Sequence, residues 1–144
     1  MLNFDQINNK SQHVHSIVME CFEWKRDYCL KCGKCCLNTE MILLDEDIKR
    51  IQKLGYKIDF FVRKLHNYNV LKNTRGHCVF FEPKSKKCKI YENRPLGCRL
   101  YPIIYDDEKG VSVDPYCPLA HAVTSEELEK ASKVISQIVE KLFP

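Results

Sequence analysis

Glycine is scarce in this chain of 144 residues: there are 5, standing singly at positions 33, 55, 76, 97 and 110. Neither a Rossmann turn nor a P-loop can be assembled from them, because both cradle phosphate between closely spaced glycines at the start of a helix. A self-contained nucleotide-dependent enzyme is therefore not expected. Long apolar runs are missing too. No stretch approaches the roughly 18 consecutive apolar residues of a membrane span, and the opening M-L-N-F-D-Q-I-N-N-K lacks the basic start and apolar stretch of a secretory leader. These two absences predict a cytoplasmic protein with no membrane partner. Charge of one sign is also lacking. The 23 Lys and Arg against 19 Asp and Glu leave +4, with the basic residues scattered, so a nucleic-acid face is not expected. There is no linker, internal repeat or low-complexity stretch. With 44% hydrophobic and 29% charged residues, the composition is that of an ordinary folded chain long enough for one modest core.

Cysteine, by contrast, is abundant, with 9 residues. In a reducing cytoplasm an odd count of closely spaced thiols argues for metal ligation rather than a disulfide scaffold. The adjacent pair Cys35 and Cys36 argues the same way, since neighbouring cysteines close into a disulfide only through a strained ring.

Periodicity places the elements around these thiols. Val14, Ile17, Val18, Cys21 and Phe22 recur at helical spacing and predict a first helix over 11–24. C-L-K-C-G-K-C-C at 29–36 reads as a tight loop, with Gly33 inside it. E-M-I-L-L reads as a short strand. Asp45 is the expected N-cap of a helix running to Leu54 and ended by Gly55, and I-D-F-F-V-R-K-L at 58–65 as a further short helix. From Gly76 onward, prolines, aromatics and cysteines predict loops and short strands. I-I-Y-D-D-E-K-G-V-S-V predicts a hairpin turning before Gly110. Thr124 with Glu127 three residues on is a capping-box pattern, and Leu128, Ala131, Ile135, Ile138 and Leu142 mark a helix over 125–142, expected to pack against the first. The expected fold class is α+β: a small, single-domain, cysteine-rich, metal-bound fold over 1–144. Its cysteine core spans about 28–121, and its N- and C-terminal helices pack around loops and short strands that carry the cysteines.

Eight cysteines fall into two groups of four: Cys29, Cys32, Cys35 and Cys36, then Cys78, Cys88, Cys98 and Cys117. A C-x2-C spacing lets two sulfurs converge on one metal from a tight turn, and loops delivering later cysteines complete the shell. Consecutive side chains diverge in a loop, so Cys35 and Cys36 can serve two centres. The expected partition gives Cys29, Cys32, Cys35 and Cys117 to one, and Cys36, Cys78, Cys88 and Cys98 to the other. Cys21, on an apolar helical stripe, reads as a small core residue. His77 and His121 neighbour ligand cysteines but read as surface or supporting residues. Arg94 and Arg99 flank Cys98, where fixed positive charge would stabilise a thiolate-rich cofactor site or grip an anionic substrate.

The motifs C-L-K-C-G-K-C-C, G-H-C-V-F-F and Y-E-N-R-P-L-G-C-R-L-Y-P, within residues 28–121, resemble those of the CxxCxxCC, or YkgJ-type, cysteine-cluster family of candidate zinc- or iron-chelating domains. The resemblance implies that Cys29, Cys32, Cys35, Cys36, Cys78, Cys88, Cys98 and Cys117 occupy the family's eight cysteine positions. A related cysteine domain occurs in flagellin-lysine methylases, where an iron–sulfur cluster is implicated. The residues themselves leave iron–sulfur and zinc both open. The preferred expectation is a protein holding an iron–sulfur cluster and serving electron or group transfer with a protein or small-molecule partner. Its alternative is a zinc-binding structural or interaction module without catalytic activity. The C-x3-C-x2-C spacing of radical enzymes is absent. The cysteine-bearing middle of the chain shows little continuous apolar pattern, so the fold is expected to depend on its metal.

Overall fold

A computed structural model describes residues 29, 32–106 and 108–142. The helix expected over 11–24, with Cys21 on it, lies outside the described residues, as does its packing against the C-terminal helix. The chain divides into two compact units: Trp24–Cys98, and a second formed by Met1–Glu23 with Arg99–Pro144. Among the described residues, four helices and four two-stranded antiparallel sheets make an α+β architecture, as expected. No described helix is long and apolar enough to cross a membrane.

In the first unit, helix α1 spans Asp45–Lys53. Ile48 and Ile51 turn inward on one face, and three acidic residues in the first turn complement the exposed N–H groups there. The cap differs from expectation. Leu44 occupies the cap position, and its N–H is answered by Asp47 Oδ2 at 3.0 Å, because Asp45 is already helical and cannot fold back on itself. Gly55, at φ 103, stops the helix as expected.

The helix expected over 58–65 is half right. Helix α2 covers only Ile58–Phe61, and Val62–Leu65 is strand β1, paired with β2 (Tyr68–Leu71) in the register Val62↔Leu71 to Leu65↔Tyr68. Antiparallel pairing gives alternate residues of 62–65 cross-strand hydrogen bonds and sets their side chains beside those of 68–71, which outweighs local helix propensity. The strand expected from E-M-I-L-L shrinks to one bridge, Ile42 with Val70. Two more hairpins follow: β3 (Asn73–Thr74) with β4 (His77–Cys78), then β5 (Phe81–Glu82) with β6 (Lys87–Cys88). The first turns through Arg75 and Gly76, both left-handed at φ 51 and 82, the conformation of a two-residue turn that matches strand twist. Leu43, Ile48, Ile51, Phe61, Leu71, Phe80, Phe81 and Ile90 form the core, with Cys78 inside it. The short helix α3 spans Leu96–Leu100.

In the second unit, β7 (Ile103–Asp106) and β8 (Gly110–Val113) form the expected hairpin, in register from Ile103↔Val113 to Asp106↔Gly110. Helix α4 spans Ser125–Leu142 and packs on this hairpin, burying Ala131, Val134 and Ile135. Its capping box forms as the sequence predicts: Thr124 N–H donates to Glu127 Oε1 at 2.9 Å, and Glu127 N–H to Thr124 Oγ1 at 3.1 Å.

Candidate metal centre

The first cysteine segment is more regular than the expected loop. Cys29 and Cys32 lie in helical backbone, and Lys34–Cys36 forms a 3-10 turn closed by Cys36 N–H to Gly33 O at 3.1 Å. Gly33 joins the two at φ 65, packed so tightly that a Cβ there would stand 2.4 Å from the Phe81 ring. Only hydrogen fits between this turn and strand β5. Beyond the turn, the backbone is sewn to the β3–β4 hairpin. Leu37 bridges His77, Asn38 N–H donates to Gly76 O at 2.8 Å, and the Asn73 amide bonds both N–H and carbonyl of Thr39. Cys35 and Cys36 are thereby brought beside Cys78.

Cys78 and Cys88 end strands β4 and β6, and the backbone after each wraps back on its sulfur. The N–H groups of Phe80 and Phe81 face the Cys78 sulfur, and that of Ile90 faces Cys88. The two wraps are joined by Lys89 N–H to Phe80 O at 2.8 Å. Backbone donors aimed at a sulfur favour its ionised form.

Cys98 sits on α3, whose approach is set by a pair of residues that sequence reasoning missed. Asp47, 1% exposed, accepts at Oδ1 from Leu96 N–H at 3.0 Å and from Arg50 Nη2 at 2.8 Å, while its Oδ2 caps α1. Arg50 Nη2 in turn donates to the Arg94 carbonyl at 2.8 Å, and Arg50 Nε is buried without a hydrogen-bond partner. In the sequence this pair looks like an ordinary first-turn acid and a solvated arginine. Only its burial against residues 94–96 reveals the tie. Gly97 lies so close to Met41 that a Cβ would meet its sulfur at 2.3 Å.

The thiols of Cys35, Cys78 and Cys88 lie within electrostatic reach of one another and of both Cys36 and Cys98. A hydrogen bond with Cys35, then burial, then neighbouring sulfur charge push the Cys36 thiol far up. Burial is the leading cause for the other three. It raises Cys78 from 9.0 to about 11, raises Cys88, and raises Cys98 well above 9.0, its sulfur being enclosed although the residue keeps some exposed surface. Arg94 opposes the rise at Cys88 and Cys98; its guanidinium lies 3.9 Å over the Tyr91 ring. Cys35 is the exposed member of the five. It stands with Cys36, Cys78, Cys88 and Cys98, not apart from them as the expected partition has it. A one-residue step along a 3-10 turn leaves the Cys35 and Cys36 thiols close enough to hydrogen-bond.

Among the described residues, no three Cys, His, Asp or Glu side chains are gathered tightly enough to grip an ion as they stand. Their chemistry nevertheless fits a soft cation. Crowded, buried thiols resist ionising beside one another, and a thiophilic metal reverses that balance by replacing their protons. Cys29 and Cys32 belong to the same unit, half-buried; Cys117 and His121 belong to the other. His77 donates from Nδ1 to the Cys78 carbonyl at 2.9 Å, and its ring packs edge-on against Phe81, so it supports the backbone at Cys78. Arg99 is buried, 2% exposed.

No solved structure matches the chain. The uncharacterized protein MJ0661 of Methanocaldococcus jannaschii is 42% identical over 83 residues, an alignment covering 52% of this chain and 43% of that protein. The chain thus spans less than half the length of this relative. The family model for CxxCxxCC, described as "Putative zinc- or iron-chelating domain", matches residues 28–118, a span that holds all eight cysteines of the two groups. With that match over more than half its length, the chain belongs to the CxxCxxCC family.

Proposed function

We propose that the unit Trp24–Cys98 holds an iron–sulfur cluster on a subset of its cysteines, and that the protein serves electron or group transfer with a partner. The ligands are drawn from Cys35, Cys36, Cys78, Cys88 and Cys98, with Cys29 and Cys32 as further candidates. The observation that carries this reading is the convergence of five thiols from four separate stretches of chain onto one electrostatic neighbourhood. The family's chelating description supports metal at these positions. The absence of a nucleotide cradle supports a role performed with a partner. A bound cluster would supply one-electron chemistry. The protein's own part is to hold sulfurs as thiolates: N–H groups of Phe80, Phe81 and Ile90 offset charge on Cys78 and Cys88, and Arg94 offsets it on Cys88 and Cys98. The exposure of Cys35 leaves one edge of the site open to a partner.

Anaerobic purification followed by iron, acid-labile sulfide and zinc analysis tests this. Iron and sulfide together, in a brown protein with visible charge-transfer absorption, are the expected result. A colourless protein holding stoichiometric zinc would overturn it and leave a zinc-binding structural or interaction module.

A further inference from the structure

We infer that Asp47 and Arg50 are positioning residues for the metal site: together they set where Cys98 sits. The inference rests on the reading of Cys98 as a ligand, and concerns residues that no cysteine motif contains. Neither is close to a sulfur in sequence. Asp47 lies on α1, and the N–H it bonds at Leu96 is 49 positions away and two before Cys98. Arg50 reaches 44 positions, to the carbonyl of Arg94, the residue whose charge favours the Cys88 and Cys98 thiolates.

A buried carboxylate is costly unless its oxygens are used, and Asp47 uses both. Two of its three donors, the cap residue Leu44 and Arg50, are local to α1, which would cap normally with an exposed acid at this position. The third, Leu96 N–H, is the contact that requires burial. Arg50 adds a second clamp on the same strand of chain, so residues 94–96 are gripped at both ends, one N–H and one C=O. A segment held this way cannot rotate about its axis, and Cys98 inherits its orientation. The close contact of Gly97 with Met41 limits sliding in the remaining direction. Hydrogen-bonding partners behind a ligand fix its direction, and their loss typically costs about 10–100-fold in metal affinity.

The test is a double-mutant cycle on the anaerobically purified, metal-loaded protein, reading the rate of metal loss to a strong chelator and the thermal transition of each variant. Asp47→Asn keeps the size but loses one acceptor, and is expected to release metal about 10-fold faster or more. Ile51→Ala, fully buried on the same helix, supplies a variant weakened without removing a hydrogen bond to 94–96. Asp47→Asn should release metal faster than Ile51→Ala even where their transitions are equally lowered. In a Cys98→Ser background, Asp47→Asn should add nothing, because it acts through Cys98. Additive losses, or release that merely follows thermal stability, would overturn the positioning role. If Cys98→Ser alone left metal retention unchanged, the ligand reading itself would fall, and this inference with it. Should Asp47→Asn not fold, Arg50→Lys carries the same cycle: it keeps the charge but withdraws the forked donor from the Arg94 carbonyl. Retention equal to the parent protein would again count against the inference.

Discussion

Four of the thiols at this site are reluctant to ionise by themselves. Cys78 is held at about 11, chiefly by burial, and Cys36, Cys88 and Cys98 are raised as well. A raised thiol keeps its proton below its own pKa, so at neutral pH metal must displace a proton from each sulfur it takes. Affinity should therefore climb as pH rises toward about 11 and fall as pH drops, by about tenfold per pH unit for every thiol displaced. Competition with a chelator of known proton affinity, at several pH values on either side of neutrality, measures the slope. A flat profile would mean that these sulfurs do not bind the metal. The residues that govern this were only partly visible beforehand. Cysteine spacing exposed the sulfurs, and the proximity of Arg94 to Cys98 in sequence exposed one source of positive charge. The N–H groups of Phe80, Phe81 and Ile90 could not be read, since every residue but proline carries one and only the turn geometry aims it.

The 3-10 turn Lys34–Cys36 depends on strand β5 across from it. Gly33 occupies a left-handed conformation and leaves no room for a Cβ beside Phe81. Gly33→Ala combines backbone strain with a displaced ring, for an expected loss of about 2–4 kcal/mol. Gly110 has a similar φ of 74 with nothing within 4 Å of its missing Cβ, so Gly110→Ala should cost only the backbone share. Denaturant titration of both variants separates the two contributions, and equal losses would show that the ring contact is unimportant. The hairpin Ile103–Val113, helix α1 apart from its N-cap, and the capped helix α4 were legible, because their signals are local. Strand β1 was not. V-R-K-L continues the preceding helical pattern smoothly, and what makes it a strand is Tyr68–Leu71 beyond the turn at His66. Residues 76–90 read correctly as short strands and loops, but their pairing in two-residue pieces is too brief to leave a periodic trace, and the helical turns Tyr91–Asn93 and Leu96–Leu100 stand where loops and short strands were expected.

The unit Trp24–Cys98 has a more continuous core than the sequence suggests, assembled from single apolar residues on many short elements. Ile51, Phe61 and Phe80 are almost wholly enclosed, yet among the described residues no element there is longer than the 9 residues of α1. Cys36, Cys88 and Cys98 pack against that core, so metal bonds and apolar packing brace the same small volume. Thiolate–metal bonding contributes on the order of 10 kcal/mol to folding in small metal domains, as much as a whole domain's stability. Exhaustive chelation at neutral pH under anaerobic conditions should therefore abolish the cooperative unfolding transition of this unit. Its persistence in protein shown to be metal-free would mean that the apolar core suffices. The sequence pointed to metal dependence through its cysteines, and the burial of Asp47 through nothing at all: that burial is set by residues 94–96, far along the chain.

Four stretches contribute the five thiols, and the ribosome does not deliver them together. Cys35 and Cys36 emerge first, and Cys98 follows about 60 residues later, an interval of about 3–12 s at ordinary elongation rates. Through that interval a nascent chain carries thiolate donors with neither their last partner nor the helix segment that Asp47 fixes. A growing chain can thus offer metal only a partial grip, and the full site is a property of the finished unit, closed by some of the last residues of the unit to be made.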